Sequence, residues 1–222
     1  MSAIFHLVRH GQASFGTDDY DRLSSIGHQQ ARALGEALKR QGVTPDLGII
    51  GGQKRHRETY DGIMAGLGLD LEPMVLPGLN EFDFGGLLDA RFAGREAPEN
   101  LHTDRRTHFR LLRDVVLEWQ EGDIANPPEA FDAFRDRVED AIQTIEAQGA
   151  KTPLAVSSGG PIGFFTAMVM EAPASQMITL QLQIKNCALS KYILTRGRRW
   201  LHSLNETPFL DASNTDTFLT YS

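Results

Sequence analysis

Near its start the chain reads Ala3-Ile4-Phe5-His6-Leu7-Val8-Arg9-His10-Gly11-Gln12, a short apolar run that ends in a cation, an imidazole and a glycine. A run this short, with β-branched and aromatic residues, predicts a buried strand rather than a helix. We expect it to deliver Arg9 and His10 to its carboxyl end, where open α/β sheets bind ligands. Arginine offers phosphate oxygens a planar fork of donors, and a neutral imidazole can attack phosphorus. For an isolated Arg-His pair, two solvated side chains remain the simpler interpretation.

Composition and charge restrict the class of protein. Of the 222 residues, 41% are hydrophobic, which is enough to form the core of a single domain over residues 1–222. The formal charge of −7, from 29 acidic and 22 basic residues, argues against a nucleic-acid partner, because phosphate-backbone binding requires a basic face. We therefore expect a small ligand.

Cysteine content and hydropathy bear on the location of the protein. The single cysteine, Cys187, excludes an internal disulfide framework and is typical of a reducing cytosol. The amino terminus lacks the pattern of a secretory signal, and the longest apolar stretch, near residues 164–170, is far shorter than a membrane span. These features predict a cytoplasmic protein without a membrane partner, and they do not indicate its oligomeric state.

Strand and helix patterns alternate and predict an α/β fold, a three-layer α/β/α sandwich with a mostly parallel central sheet. The first helix is expected between a cap at Ser24 or Ser25 and a stop at Gly42. Further helices are expected over residues 54–67, over 97–148 with a break near 122–128, and from the turn at 158 to 170. Further strands are expected at residues 46–50, 71–76, 153–157, 186–195 and 200–205, followed by an irregular tail.

Residues 88–126 are expected to form a helical cap that shapes the ligand pocket. Four arginines in or near it are candidate anion contacts, although each taken singly is better explained as a solvated side chain: Arg91, Arg95, Arg105 and Arg106.

A second strand, at residues 46–50, also ends close to cations. Lys54, Arg55 and Arg57 fall in the first turn of the helix expected over residues 54–67, with Thr59 one turn beyond Arg55. Cations at this end oppose the helix dipole, so a bound anion would account for them. We interpret Lys54 and Arg57 as solvated and Arg55 as the anion contact.

Two further stretches carry polar groups suited to the same chemistry. Glu81 lies among Leu79, Phe82 and Phe84, where burial would raise its pKa into the range of a proton donor. Asp83 is its rival, and either carboxylate can instead face solvent. The turn Ser158-Gly159-Gly160 joins a buried strand to a helix, an arrangement whose free N–H groups bind anions, although such glycines often serve only the bend.

Taken together, these stretches resemble the histidine phosphatase superfamily, the phosphoglycerate-mutase-like proteins. The resemblance covers most of the chain. It rests on Arg9-His10-Gly11, on Leu23-Ser24-x-x-Gly27-x-x-Gln30-Ala31, on Arg55 followed by Glu58-Thr59, on Leu79-x-Glu81 leading to Phe84-Gly85, and on Ser158-Gly159-Gly160.

The resemblance implies a role for each of the main residues. His10 would be the nucleophile that forms a phosphohistidine, and Glu81 would protonate the leaving oxygen. Neither a metal ion nor a cofactor is implied. The predicted phosphate contacts are Arg9, Arg55, Ser158, Gly159 and Gln12.

One position departs from the family pattern, because members usually carry His-Gly-Gly where this chain has Ser158-Gly159-Gly160. The serine can donate a hydrogen bond but carries no charge. Loss of one such donor typically costs about 10² to 10³ in turnover, so we expect a slow enzyme that a Ser158→His change would accelerate. His202 is the one histidine that follows, and it could substitute only if the fold carried it inward.

Three functions stay open at this point. The first is a phosphomonoesterase acting on a small phosphorylated metabolite, with inorganic phosphate or sulfate as pocket ligands. The second is a binding or regulatory protein that kept the pocket and lost turnover, and the third is a mutase. A histidine-based metal enzyme is least supported, because His6 and His10 have no ligand cluster beyond the scattered His102 and His108.

Overall fold

A computed structural model describes residues 2–14, 21–94 and 105–221 of the chain, with side chains omitted for residues 105–109. Its described part contains one six-stranded sheet, in the order β3-β2-β4-β1-β5-β6. The strands are β1 (Ala3–Arg9), β2 (Leu47–Ile50), β3 (Met74–Val75), β4 (Pro153–Ser157), β5 (Leu189–Thr195) and β6 (Arg198–Glu206).

The pairing of the strands places three carboxyl ends side by side. The first four strands in the sheet order are parallel, whereas β5 runs antiparallel to β1 and β6 antiparallel to β5. Arg9 at the end of β1 pairs with Ser157 at the end of β4, and Ile50 at the end of β2 pairs with Val156. The mostly parallel sheet is therefore confirmed, and its parallel strands open onto one edge.

Helices cover both faces of the sheet and complete the predicted three layers. The helices are α1 (Ser25–Arg40), α2 (Lys54–Leu67), α3 (Phe84–Arg91), α4 (Arg105–Glu121), α5 (Phe131–Ala147), α6 (Gly159–Val169), α7 (Gln176–Gln181) and α8 (Thr215–Phe218). One core joins α1 and α2 to strand residues such as Val8 and Val156, and another joins α5 and α6 to Leu7 and Ala155. Within the residues described, none of these helices has the length and hydropathy needed to cross a membrane.

Strand β3 and the tail differ from their sequence predictions, and helix α7 lies where no helix was predicted. Strand β3 contains two residues instead of the predicted 71–76, because Pro73 has no N–H to donate and Pro77 begins a 3-10 turn. The tail is more ordered than expected and contains the short helix α8. Gln30 on α1 holds it in place, since its side-chain amide donates to the Phe218 carbonyl and to the Thr220 hydroxyl, both at 2.8 Å.

A third core of aromatic side chains joins α3 and α4 to α5, α6 and α7. Trp119 on α4 is fully buried, and its ring centroid lies 5.1 Å from that of Phe82 and 5.3 Å from that of Phe134. Its indole N–H donates to the Glu129 carbonyl. Phe82 directly follows Glu81, so this core anchors the segment that carries the candidate acid.

Helices α1 and α2 approach each other backbone to backbone at a pair of glycines. A Cβ added at Gly35 would lie 2.1 Å from the Ile63 carbonyl oxygen and 2.9 Å from the Gly66 Cα. Such contacts are too close for any side chain, so glycine is required for this packing. The packing thus holds the last turns of α2 against α1.

Replacing Gly35 with alanine should force α1 and α2 apart. We expect Gly35→Ala to lower the free energy of unfolding by about 1–3 kcal/mol, as overpacking of a core does. Urea denaturation measures this change. The matched control is Gly85→Ala on α3, where the added Cβ has its nearest neighbour at 3.5 Å and we expect a change within about 1 kcal/mol. Equal stability of Gly35→Ala and the parent chain would contradict the packing described.

Candidate active site

The carboxyl ends of the parallel strands and the first turns of two helices enclose one polar pocket. Arg9 and His10 follow from β1, Arg55 lies in the first turn of α2, and Ser158 is the residue just before α6. These four residues expose only 7%, 4%, 6% and 0% of their surface, respectively. Buried arginine and histidine at the end of a sheet are unusual for a purely structural core, which makes this the candidate site.

The His10 ring is held in one orientation by its own backbone neighbourhood. Its Nδ1 lies 2.8 Å from the Gly11 carbonyl oxygen, and because a carbonyl only accepts, Nδ1 carries the proton. Nε2 is then left with a lone pair. Burial lowers the pKa of His10 well below its ordinary value, and the Arg55 and Arg9 guanidiniums and the His56 ring lower it further. The ring is therefore neutral at pH 7, as a nucleophile must be.

The loop that follows His10 is tied to α1 and α2. The Gly11 N–H donates to the Thr59 hydroxyl at 3.0 Å, and this hydroxyl donates to the Arg55 carbonyl at 2.7 Å. A Cβ at Gly11 would lie 2.6 Å from the carbonyl oxygen of Gly27 on α1. Glycine at this position thus lets β1 and α1 meet, and Thr59 fixes the distance from the His10 loop to Arg55.

The two arginines of the pocket come from different elements, Arg9 from the end of β1 and Arg55 from the first turn of α2. Arg9 donates through Nη1 to the carbonyl of Ile184. Arg55 donates through Nη1 to Asp21 and through Nη2 to Gln53, both at 2.8 Å, and its Nη2 lies 3.4 Å from the Ser158 hydroxyl. Each guanidinium is therefore held by oxygen acceptors, and their positive charges act on the same imidazole.

Glu81 accepts hydrogen bonds at the amino end of α6. Its two carboxylate oxygens lie 3.1 and 3.0 Å from the Gly160 nitrogen, and a Cβ at Gly160 would lie 2.1 Å from one of them. Burial raises the pKa of Glu81, while the Gly160 N–H and the Arg55 and Arg9 guanidiniums oppose that rise. Its rival Asp83 is exposed and accepts from the Gly86 N–H as the cap of α3. The structure thus places Glu81, and not Asp83, in the pocket.

The Ser158 side chain is enclosed by residues at the start of α2. Its hydroxyl oxygen lies 2.8 Å from Nε2 of His56 and 3.4 Å from Oε1 of Gln53. His56 is fully buried, and its ring centroid lies 5.9 Å from that of His10. The pocket thus contains two imidazoles, one from β1 and one from α2.

Comparison with known proteins identifies the family. The profile described as the histidine phosphatase superfamily (branch 1) matches residues 5–207, which include every residue of the pocket described above. The chain belongs to the histidine phosphatase superfamily.

Curated relatives of this superfamily member include a 2,3-bisphosphoglycerate-dependent phosphoglycerate mutase from Methylocella silvestris. It is 34% identical over an alignment of 119 positions, which covers 49% of this chain and 57% of that protein. The chain therefore spans just over half the length of the curated relatives it matches.

Solved structures extend the similarity over nearly the whole chain. A protein from Escherichia coli K-12, assigned provisionally as an alpha-ribazole-5'-P phosphatase, is 24% identical with a TM-score of 0.69 and coverage of 92% of this chain and 97% of that one. A phosphoserine phosphatase from Entamoeba histolytica is 18% identical with a TM-score of 0.66 and coverage of 94% and 100%. At these identities the likeness shows the fold alone.

The remaining predicted contacts take other positions in this histidine phosphatase fold. The side-chain oxygen of Gln12 accepts a hydrogen bond at 2.8 Å from the hydroxyl of Ser24, the cap of α1. This oxygen therefore contacts the start of α1. Gly159 begins α6, and a Cβ there would lie 3.8 Å from the Arg9 Cζ. His202 is exposed on β6, with β5 between it and β1. It therefore does not replace the missing histidine.

The arginines of the expected cap are only partly visible. Arg91 pairs with Glu118. Arg95 lies outside the described residues, and for Arg105 and Arg106 the description extends to the α4 backbone alone. His102 lies outside the described residues, and His108 is described by its α4 backbone alone. Over the residues whose side chains are described, no three His, Cys, Asp or Glu side chains form a group able to hold a metal ion.

His56 is the pocket residue that sequence reasoning missed. The available signal was its place in the first turn of α2, beside Arg55 and just after a strand end. Its partner Ser158 is 102 positions away, so spacing along the chain could not reveal the pair.

The buried His56 should make the protein less stable in mild acid. Burial and the Arg55 guanidinium lower its pKa to about 3, so only the unfolded chain takes up a proton there as the pH falls below about 6.5. Between pH 7 and pH 5 this linkage removes about 2 kcal/mol of unfolding free energy. We expect His56→Phe, which has no titratable group, to lose about that much less than the parent over this range in urea denaturation. Equal losses in the two chains would contradict a neutral, buried His56.

Proposed function

We propose that this chain hydrolyses monophosphate esters of small metabolites through a phosphohistidine at His10. The observation that carries the proposal is a buried, neutral imidazole with a free Nε2 lone pair, set among two guanidiniums and the Glu81 carboxyl group. The superfamily contains phosphatases and mutases, and both transfer phosphoryl groups.

The reaction begins with binding of the phosphoryl group between the two arginines. Their two positive charges match a phosphate dianion, and guanidiniums donate to its oxygens in a fixed fork. Arg55 Nη1 donates to Asp21 at 2.8 Å. A bound phosphoryl group must therefore take this donor from Asp21 or share it with Asp21. The arginines also stabilise the charge that spreads over the phosphoryl oxygens in the transition state.

The covalent step uses His10 as the nucleophile and Glu81 as the acid. His10 Nε2 forms a bond to phosphorus while the bond from phosphorus to the ester oxygen breaks. The leaving oxygen takes the proton that a protonated Glu81 holds, and the alcohol departs. A water molecule then attacks phosphorus, Glu81 takes up its proton, and the N–P bond breaks to release inorganic phosphate and restore His10.

A second candidate function is a mutase, which the names of the curated relatives favour. In a mutase the phosphohistidine would pass its phosphoryl group to a sugar-acid hydroxyl instead of to water. The same residues would serve, so the acceptor separates the two functions.

The phosphatase proposal predicts turnover that depends on His10. With an aryl phosphate such as p-nitrophenyl phosphate, we expect release of phosphate, an acid-labile and base-stable phosphoenzyme in quenched samples, and a loss of at least about 10³-fold in His10→Ala. His28→Ala, which removes an exposed histidine on α1, is the matched control and should retain the parent rate.

The outcomes of this assay separate the three functions. Hydrolysis by His10→Ala at the parent rate would exclude the mechanism. Binding of phosphate esters without turnover or phosphoenzyme would instead indicate a binding protein, and phosphoenzyme that transfers to 3-phosphoglycerate faster than to water would indicate a mutase.

The proposed role of Glu81 predicts a dependence on the leaving group. A nitrophenolate departs without a proton, whereas an alkoxide requires one, so Glu81→Gln should slow an alkyl phosphate by about 10² to 10⁴ and the nitrophenyl ester far less. Measuring kcat/KM for both esters gives this ratio, because kcat/KM reports the formation of the phosphoenzyme and not the later hydrolysis that both esters share. Asp83→Asn is the control, because Asp83 caps α3 outside the pocket. An equal effect of Glu81→Gln on both esters would remove Glu81 from the role of acid.

A further inference from the structure

The second imidazole of the pocket lies on a different element from the one that the family pattern predicts. At the start of α6, where the family usually has histidine, this chain has Ser158. An imidazole nevertheless lies beside it, because Nε2 of His56, from α2, is 2.8 Å from the Ser158 hydroxyl oxygen. The change at one position is thus matched by a histidine at another.

The surroundings of His56 are shaped to receive this ring. A Cβ at Gly51, at the end of β2, would lie 2.3 Å from the His56 Nδ1 and 2.8 Å from its Cε1. Only glycine at residue 51 leaves room for the imidazole. The small Ser158 side chain leaves the room on the other side, so three residues from β2, α2 and the turn before α6 fit one another.

The hydroxyl proton of Ser158 has two acceptors within reach, Gln53 Oε1 and His56 Nε2, and the direction of the bond to His56 depends on the tautomer of its ring. Arg55 Nη2 donates to its oxygen at 3.4 Å, and the hydroxyl has an acceptor in Gln53 Oε1, also at 3.4 Å. With the hydroxyl proton directed at Gln53, the short contact to His56 requires that Nε2–H donates to the Ser158 oxygen. Gln53 Oε1 already accepts from Arg55 and from the Glu81 N–H, so the hydroxyl can turn from it toward a better acceptor at little cost.

We infer that His56 and Ser158 act as a pair in place of the second pocket histidine, with His56 donating to the Ser158 oxygen and the Ser158 hydroxyl donating to the phosphoryl group. This inference rests on the proposed phosphoryl transfer. His56 is a positioning residue in it, because it acts through Ser158. Donation from an imidazole polarises the hydroxyl and strengthens its bond to the phosphoryl oxygen.

The pair also explains why histidine cannot simply be restored at residue 158. The Ser158 oxygen is already in hydrogen-bond contact with His56, so an imidazole at 158 would require the same space. This revises the sequence-based expectation that Ser158→His alone accelerates turnover. The acceleration is now expected only when His56 is removed as well.

The test is a double-mutant cycle on aryl phosphate hydrolysis. We expect His56→Ala and Ser158→Ala each to lower kcat by about tenfold to a hundredfold with little change in KM, and the double variant to fall no further than the worse single one. The relocated pair, His56→Ala with Ser158→His, should recover at least about tenfold over His56→Ala. A structural role for His56 would not produce this recovery.

Two further variants keep the outcome decisive. His56→Phe fills the ring space without a donor, so it should lose kcat as His56→Ala does if the alanine chain folds poorly. His202→Ala, on the exposed side of β6, is the matched control and should keep the parent rate. Unchanged kcat in His56→Phe, or losses that multiply in the double variant, would overturn the pair.

Failure of the proposed function is distinguishable from failure of the pair. If the parent chain shows neither turnover nor phosphoenzyme, the proposed hydrolysis is wrong, and the same variants are titrated with vanadate, which occupies phosphoryl sites without turnover. Weaker vanadate binding in both single variants, with no further loss in the double one, would support the pair. Equal affinity in the parent and His56→Phe would overturn it.

Discussion

Two guanidiniums buried beside one imidazole are the constraint on which the site depends. Each buried cation costs several kcal/mol unless oxygen acceptors surround it. Arg9 has the Ile184 carbonyl and Arg55 has Asp21 and Gln53, so the chain maintains both charges at the sheet edge. Burial lowers the pKa of His10, and the field of the two arginines lowers it further, so the ring is neutral; the same charges would hold a dianion next to it. The site needs three parallel strand ends side by side, and the registers of β1 and β2 against β4 provide them.

Much of this arrangement follows from local sequence signals. Three buried strands end at points that the sequence marks: Arg9 after an apolar run, the glycine after Ile50, and the turn at Ser158. Parallel pairing brings these ends to one edge of the sheet. The predicted bounds of helix α2, residues 54–67, match the observed Lys54–Leu67, and the helix ends at the left-handed Gly68, which is a local feature. The choice between Glu81 and Asp83 needed the structure, since it depends on which of them meets the amino end of α6.

The missed features depend on contacts between distant parts of the chain. His56 looked like one more polar residue in a basic helix start, and only the packing of α2 against the turn before α6 gives it a role. The helix α8 is held in the tail by the Gln30 side-chain amide, which donates to the Phe218 carbonyl and to the Thr220 hydroxyl, contacts that the local sequence does not show. The short β3 reflects two prolines whose effect on pairing outweighed an apolar pattern. Contacts between distant residues thus explain His56 and α8, and the missing N–H groups of two prolines explain the short β3.

The central claim is that groups far apart in sequence surround a single oxyanion, and the structure of a vanadate complex tests it most directly. The account predicts vanadium within bonding distance of His10 Nε2, with its oxygens contacting Arg9, Arg55 and the Ser158 hydroxyl and the Glu81 carboxyl group on the side opposite His10. Vanadate bound elsewhere, or held in this pocket with His10 turned away from it, would contradict the account.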